Sequence, residues 1–220
     1  MGERSSRFKR FVSDDSMSIA LFSLFLVCVA GQGLSGWLAY NGSLRAGHFQ
    51  EITFGAYLCT GNFLDGMFSN WQAAILQLAV LIAFGSVLRQ KGAAHSRKTV
   101  STSHRRLRWK LGPRRSPREF LLANSLSLVF IGMFAATFVL HVWFGEWKYN
   151  EDQALRYLPQ TSLGSYAGSS SFWFSVFQTW EAEFSAIGLY IVLSIFLRQE
   201  KSPESKPVGA SNRQTGGANE

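Results

Sequence analysis

The apolar residues of this chain are concentrated in four blocks that are separated by polar segments. The blocks cover about residues 16–38, 68–88, 124–147 and 175–197, and each is at least 20 residues long. Twenty residues of α-helix span about 30 Å, which is the thickness of the hydrocarbon core of a bilayer. The pattern therefore predicts an all-α membrane protein with four transmembrane helices.

The four blocks form two pairs, because the same residues recur at a constant spacing of 109 positions. We therefore expect two copies of a helical hairpin, with repeat 1 over residues 16–91 and repeat 2 over residues 120–199. Since the segment 16–38 has a mid-chain copy, we expect it to be a retained span rather than a cleaved signal peptide. The matched pairs include Phe63 and Phe172, Phe68 and Phe177, Trp71 and Trp180, Ala73 and Ala182, and Ile82 and Ile191.

The loops between the blocks differ in charge. Residues 89–119 contain eleven Lys and Arg residues and one acid, Glu119, whereas the loops at 42–62 and 150–171 contain few basic residues. Positively charged loops stay on the cytoplasmic side of a membrane. We therefore expect residues 92–119 to form a basic cytoplasmic linker and the other two loops to lie outside.

Both ends of the chain follow the same rule. Residues 1–15 and 200–220 are polar and contain several Lys or Arg residues, so we expect both termini in the cytoplasm. Each hairpin then crosses the membrane twice, and the two copies share one orientation as parallel repeats. Residues 200–220 are rich in Lys, Glu, Pro, Gly and Asn, a composition that predicts a disordered tail.

The basic linker indicates which partners the chain has. The whole chain has a net charge of +8, with 22 Lys and Arg against 14 Asp and Glu. Polybasic segments beside a span are attracted to anionic lipid by about 1 kcal/mol per charge. We expect the partners to be the bilayer and its anionic headgroups. Nucleic-acid binding is not expected, because Trp109 is the one aromatic residue available for stacking in residues 89–119.

Several polar residues lie inside the predicted spans. Gln32, Gln72, His141 and Glu181 each lie about 25 Å from the predicted cytoplasmic end of their helix. The repeat pairs Gln32 with His141 and Gln72 with Glu181. An ionised side chain at the bilayer centre costs about 2.5–3.5 kcal/mol, so such residues usually face a partner inside the bundle. His141 and Glu181 are candidates to pair, whereas Glu183 points about 200° away from Glu181 on a helix.

This polar layer has a structural and a functional interpretation. In the structural one, its side chains cross-link the helices, with each hydrogen bond contributing about 0.6 kcal/mol, or extend to the outer interface near Trp180. In the functional one, the layer forms a site that handles protons or a solute. Gln77, which lies deeper in its span, is a further candidate for a hydrogen bond between helices. Metal or cofactor binding is not expected, because Cys28 and Cys59 lack the Cys and His spacing of a metal site.

Aromatic and small polar residues mark the predicted outer ends of the spans. Tryptophan and tyrosine side chains are enriched at membrane interfaces, where they act as anchors. Residues 60–62 and 169–171 suit the N-cap of a helix. The candidate anchors are Trp71, Trp147, Tyr149 and Trp180.

Five motifs resemble a family of small bacterial integral membrane proteins known as a domain of unknown function. The resemblance covers about residues 11–206 and implies a bacterial inner membrane, but no activity. The first copy departs from the second at two acidic positions, with Gln72 and Ala74 where Glu181 and Glu183 stand. The motifs are Asn-Ser-Leu-Ser-Leu at 124–128, Tyr-Asn-Glu at 149–151, the turn from Ser165 to Phe172, Trp-Glu-Ala-Glu at 180–183, and Leu-Arg-Gln-Glu-Lys-Ser-Pro-Glu-Ser-Lys at 197–206.

Two functions agree with these observations. The first is a non-enzymatic membrane component with a structural, assembly or stress-related role. The second is a small transporter or channel subunit with a proton or cation site at His141 and Glu181. The second function requires a homo-oligomer, because four spans leave little room for a pore. An enzyme is not expected, since the chain has no recognisable nucleophile–base or metal constellation.

Overall fold

The computed structural model describes residues 12–96 and 116–216, and most of these residues are helical. No β-strand occurs among those residues. Most of the predicted basic linker, residues 97–115, lies outside the described residues. In chain order the helices are α1 (Ser16–Ala46), α2 (Phe54–Tyr57), α3 (Gly61–Val87), α4 (Pro117–Ala123), α5 (Ser125–Leu155), α6 (Leu163–Ala167) and α7 (Ser170–Phe196).

Four of the described helices, α1, α3, α5 and α7, are long and apolar enough to cross a membrane. In the most apolar part of each, at most 22% of the residues are buried within the protein. Large side chains such as Leu21, Phe22 and Val27 are 56–69% exposed. A surface of this kind is stable in lipid and unfavourable in water. The predicted all-α class with four long apolar helices is confirmed, and these helices indicate a multi-pass membrane protein.

The long helices extend beyond the apolar blocks that predicted them. A helix satisfies most of its backbone hydrogen bonds internally, so it continues where the sequence becomes polar. The two predicted outer loops are therefore partly helical and also contain the short helices α2 and α6. The long helices end at Ala46 and Leu155 and begin at Gly61 and Ser170, whereas the predicted loops covered residues 42–62 and 150–171.

The second helix of each pair begins at a side-chain cap. The Thr60 hydroxyl accepts a hydrogen bond from the Phe63 amide at 3.3 Å, and the Ser169 hydroxyl accepts one from the Phe172 amide at 3.2 Å. Each bond satisfies an amide that has no partner within the first helical turn. The predicted caps are confirmed.

The described residues divide into two units, the first of which contains residues 12–65 and 144–161. Tyr57 is 2% exposed and lies at its centre. The Tyr57 ring packs against Tyr40 and Phe63, with ring centroids 5.6 and 5.7 Å away. Its hydroxyl lies so close to Gly36 that a Cβ there would collide with it. Gly36 therefore allows the short helix α2 to pack against α1.

Two loops in this unit are closed by the same hydrogen bonds. The Asn41 side-chain amide donates to the Ile52 carbonyl and accepts from the Ile52 amide, each at 3.0 Å. The Asn150 side chain makes the same two bonds with Thr161, at 3.0 and 2.8 Å. Each asparagine thus takes the place of a backbone partner and returns its loop to the end of the preceding long helix.

The second unit contains the described residues 66–96, 116–143 and 162–216. Here the part of α3 from Gly66 onward lies beside α7, and the two helices run in parallel. The Trp180 indole donates to the Gln72 side chain at 2.9 Å, and the Gln77 side-chain amide donates to the backbone carbonyl of Glu183 at 2.7 Å. From the first bond to the second, the residue number increases on both helices, from 72 to 77 on α3 and from 180 to 183 on α7. The two helices therefore run in the same direction. The predicted interhelical hydrogen bond of Gln77 is confirmed.

Residues 200–216 form a series of turns in this unit. Lys206 is 1% exposed, and its ammonium group donates to the carbonyls of Gly92 and Gln214 at 2.6 and 3.2 Å. This arrangement differs from the disorder predicted for residues 200–220. The difference arises because backbone carbonyls supply the partners of the lysine, and amino-acid composition does not reveal them.

Candidate functional sites

Gln72 is a fully buried polar side chain of the predicted layer, with none of its surface exposed. Its oxygen accepts from the Trp180 indole at 2.9 Å, and its nitrogen donates to the Ser69 carbonyl at 3.0 Å and the Thr179 hydroxyl at 3.4 Å. Both ends of the amide are thus engaged. Gln72 holds α3 and α7 together, as the cross-linking interpretation predicts.

His141 lies in an aromatic environment. It is located on α5 and has no exposed surface. Its ring centroid lies 5.2 Å from that of Phe172 and 6.5 Å from that of Phe138. Phe172 is itself only 1% exposed. The imidazole is therefore packed as an aromatic side chain inside the second unit.

The structure does not bring together His141 and Glu181. His141 is fully buried, whereas Glu181 is exposed and forms no hydrogen bond or ion pair with any residue in the described ranges. Trp180 faces α3, and the next residue along a helix is rotated by about 100° from it. Glu181 therefore points away from the α3 side of α7. Glu183 is partly exposed, and Gln32 is partly exposed within the first unit.

The four predicted interfacial anchors differ in their surroundings. Trp71 and Trp147 are 36% and 41% exposed, and Tyr149 is partly exposed. Trp180 is also partly exposed, but its indole N–H is bonded to Gln72 inside the protein. The interfacial position of all four side chains stays a prediction.

A carboxylate in the first unit binds the beginning of α3. Glu151 accepts hydrogen bonds from the backbone amides of Gly61 and Asn62, at 3.1 and 3.2 Å. Helix N-termini carry a partial positive charge and unpaired amides, so a carboxylate is a favourable partner there. A Cβ on Gly61 would collide with the backbone of Lys148. Gly61 therefore permits the close approach of α3 to α5 at this point.

An ion pair lies one helical turn further along α3. The Lys148 ammonium contacts the Asp65 carboxylate at 3.0 Å, and the Asp65 side chain is only 7% exposed. The Tyr57 hydroxyl donates to the Asn62 side chain at 3.2 Å. Burial raises the pKa of Tyr57, and the nearby Glu151 carboxylate raises it further. We call this group, which comprises Tyr57, Asn62, Asp65, Lys148 and Glu151, the loop-end cluster.

The loop-end cluster is not among the sites that the sequence predicts. Asp65 and Lys148 lie 83 residues apart, and Glu151 lies 90 residues from Gly61. One signal was available, since Asp65 and Lys148 are opposite charges at the predicted outer ends of two spans. Charges at such positions are usually interpreted as contacts with water and headgroups, so their pairing becomes visible only in the fold.

A cavity of about 610 Å³ lies between the last turns of α3 and α7 in the second unit. Ligand pockets typically measure about 300–1,000 Å³. Its walls are apolar, and polar residues line one end. The walls include Val80, Leu81, Phe84, Leu88, Phe184, Ile187 and Ile191, and the polar end includes Arg89, Gln90, His95, Ser96, Tyr190 and Glu204.

Hydrogen bonds connect three residues at the polar end of the cavity. The Glu204 carboxylate pairs with His95 at 2.5 Å and accepts from the Tyr190 hydroxyl at 3.2 Å. The Tyr190 hydroxyl also lies 3.1 Å from the Glu204 carbonyl. These contacts join the segment after α3, the helix α7 and the tail.

Lys206 fastens the tail beside this cavity. Its ammonium group lies within 3.4 Å of five backbone carbonyls, while the Arg198 guanidinium donates to the Ala210 carbonyl at 2.8 Å. Burial lowers the pKa of Lys206, and the Arg198 charge lowers it further. Gly92 has a φ of +88°, and a Cβ there would lie 2.5 Å from the Asn212 carbonyl. The five carbonyls belong to Gly92, Ile195, Ser211, Asn212 and Gln214.

Metal ligands are not grouped in the part of the chain that the structure covers. No three His, Cys, Asp or Glu side chains in residues 12–96 and 116–216 lie where they could hold one ion. Cys28 and Cys59 are both free and exposed.

Comparison with known families gives one match. The family model described as a domain of unknown function (DUF6766) matches residues 8–217. The chain belongs to this family. The match covers almost the whole chain, which agrees with the resemblance inferred from the sequence motifs. No curated protein and no solved structure matches the chain.

Proposed function

We propose that this protein is a non-enzymatic structural component of a bacterial inner membrane. It consists of two parallel copies of a helical hairpin, and its N- and C-termini and basic linker lie in the cytoplasm. The linker contacts anionic headgroups. The charge difference between residues 89–119 and the two loops supports this orientation.

Geometric recurrences at the sequence spacing of 109 support the duplication. The bounds of α1 recur in α5, and those of α3 recur in α7. The same elements are thus repeated together with the bonds that shape them. The recurring features are the Asn41 and Asn150 loop closures, the Thr60 and Ser169 caps, and the positive φ angles of His48 and Tyr157 at 60° and 57°.

The observation that carries the structural role is the bonding of Gln72. A buried amide that is fully engaged by Trp180, Thr179 and its own helix stabilises the pairing of α3 with α7 and leaves no group for solute exchange. Interhelical hydrogen bonds in membranes contribute about 0.6 kcal/mol on average and at most about 1.7.

A double-mutant cycle tests this role. Gln72→Leu, Trp180→Phe and the combined variant are unfolded in detergent micelles, and the free energies of unfolding are compared. We expect a coupling of about 0.6–1.7 kcal/mol between the two positions. Trp71→Phe is the matched control, because Trp71 is the exposed counterpart of Trp180. Strictly additive effects of Gln72→Leu and Trp180→Phe would contradict the proposal.

The second candidate function is a proton- or cation-handling subunit of a homo-oligomer. The complete burial of His141 in a span favours it, since titratable residues inside membranes are often functional. Proton flux into liposomes is compared for the wild type, His141→Ala and Glu181→Gln, with the exposed His48→Ala as control. A flux lost in the first two variants and kept in the control would establish this function in place of the structural one.

A further inference from the structure

We propose that the cavity between α3 and α7 binds one acyl chain of an anionic phospholipid, whose phosphate contacts Arg89. This inference rests on the proposed membrane location and adds a specific binding site to it. The cavity lies at the end of the two spans that leads into the basic linker and the tail. A lipid in the same leaflet therefore has its headgroup at the level of Arg89.

The walls of the cavity fit a hydrocarbon chain. The lining side chains between Val80 and Leu88, at and just after the end of α3, and between Phe184 and Ile191 on α7 are almost all apolar. The volume of about 610 Å³ lies well within the range of sites for small amphiphilic molecules. An apolar cavity of this size is costly to leave empty or to fill with water. The hydrocarbon of the surrounding bilayer is available to fill it.

Two glycines keep the cavity open. Gly85 on α3 and Gly188 on α7 both line it, and a Cβ added to either would meet no atom within 4 Å. Glycine destabilises a helix, and a larger apolar side chain at either position would both favour the helix and bury apolar surface in the cavity. Their presence in two helices on the walls of one cavity agrees with an occupant that needs the space.

The polar end of the cavity fits an anionic headgroup. Among the described residues, Glu204 is the one acid that lines the cavity, and it is already engaged by His95 and Tyr190. Arg89 also lines the cavity, and within the described ranges no protein group forms a hydrogen bond or ion pair with it. A guanidinium in this position binds a phosphate through paired hydrogen bonds.

Lipid retention measured by native mass spectrometry tests the site. Delipidated protein in detergent is titrated with phosphatidylglycerol or with phosphatidylcholine of the same acyl chains. We expect one phosphatidylglycerol to be retained in preference to phosphatidylcholine. Arg89→Gln should lower phosphatidylglycerol retention about fivefold, as expected for one charge contact, and leave phosphatidylcholine unchanged. Gly188→Leu should lower the retention of both lipids by filling the cavity.

Two control variants separate the site from general effects. Arg118→Gln removes a basic residue of the linker, and Arg118 does not line the cavity. Gly132→Leu enlarges a helical glycine of α5 whose surroundings are equally open. Both should behave as the wild type. Circular dichroism and gel filtration confirm the fold of every variant.

Three results would overturn the site. The first is equal retention of the two lipids by the wild type. The second is unchanged phosphatidylglycerol retention by Arg89→Gln. The third is lipid retention by Gly188→Leu that equals that of Gly132→Leu. None of them depends on which side of the membrane the linker occupies or on the coupling between Gln72 and Trp180. Failure of the binding site is therefore distinguishable from failure of the proposed structural role.

Discussion

The Trp180 indole donates a hydrogen bond to the buried side chain of Gln72, whereas Trp71, 109 residues earlier, is 36% exposed. Two tryptophans at matching positions of the sequence repeat thus have different surroundings. The one on α7 joins two helices, and the one on α3 faces outward. The asymmetry reflects the position of Gln72. It follows Trp71 in the sequence of α3 and accepts the hydrogen bond from Trp180 on α7.

The first prediction concerns the carboxylate at the beginning of α3. Glu151→Gln removes the charge that accepts two amide hydrogen bonds, and we expect a loss of about 1 kcal/mol in the free energy of unfolding. Thermal unfolding followed by circular dichroism measures it. Asp152→Asn is the control, because Asp152 is an exposed acid beside it. Equal losses in both variants would show that the capping bonds are not the cause.

The second prediction concerns the tail. Lys206→Met removes the ammonium group from five carbonyls, so the turns of residues 207–216 should separate from Gly92. Hydrogen exchange in this segment should become at least tenfold faster, while exchange in α3 and α7 stays slow. Lys201→Met, at an exposed position, should have no effect. Slow exchange in Lys206→Met would mean that other contacts hold the tail.

The third prediction concerns alkaline pH. The pKa of Tyr57 is raised above its ordinary value of 10.0, mainly by burial and then by Glu151. Folding therefore favours the neutral phenol. This contribution is complete below pH 10 and disappears as the pH rises through the raised pKa. In the wild type minus Tyr57→Phe difference, tyrosinate absorbance should rise with a midpoint above pH 10.0. A transition at or below that pH would refute the burial argument.

The fourth prediction concerns topology. Cys59 is a free, exposed thiol in the predicted outer region, and Cys28 lies in α1. In a Cys28→Ser variant, a membrane-impermeant maleimide should label Cys59 in intact cells. Val208→Cys, introduced without the two native cysteines, should react only after permeabilisation, since Val208 is 68% exposed on the tail. The reverse pattern would invert the proposed orientation.

The sequence predicted the class of the fold well, because membrane insertion depends on the length and hydrophobicity of a segment. The helix ends were less predictable. Ala46 and Leu155 lie beyond the apolar blocks, where capping and loop contacts decide the end of a helix. The Thr60 and Ser169 caps were predictable because capping is local. The contacts of Lys206 were not predictable, since their partners are backbone carbonyls of segments that are distant in the sequence.

The polar layer shows that the depth of a residue along its helix does not determine which way its side chain points. Gln72, His141 and Glu181 were placed at one depth from residue counts, but a count does not give the direction of a side chain around the helix. Gln72 points toward α7 and Glu181 does not point toward α3. The partner of Gln72, Trp180, was instead assigned to the interface, where tryptophan is common.

The loop-end cluster makes the two hairpins chemically distinct. The positions that match Lys148, Asp65 and Glu151 in the other copy are Ala39, Phe174 and Gly42, so each of the three charges is present in one copy and missing from the other. A gene encoding one hairpin alone could not reproduce this ion pair and carboxylate cap by forming a symmetric dimer, because α3 supplies Asp65 and α5 supplies the two other residues. Separately expressed halves should therefore reconstitute the cluster only as a mixed pair.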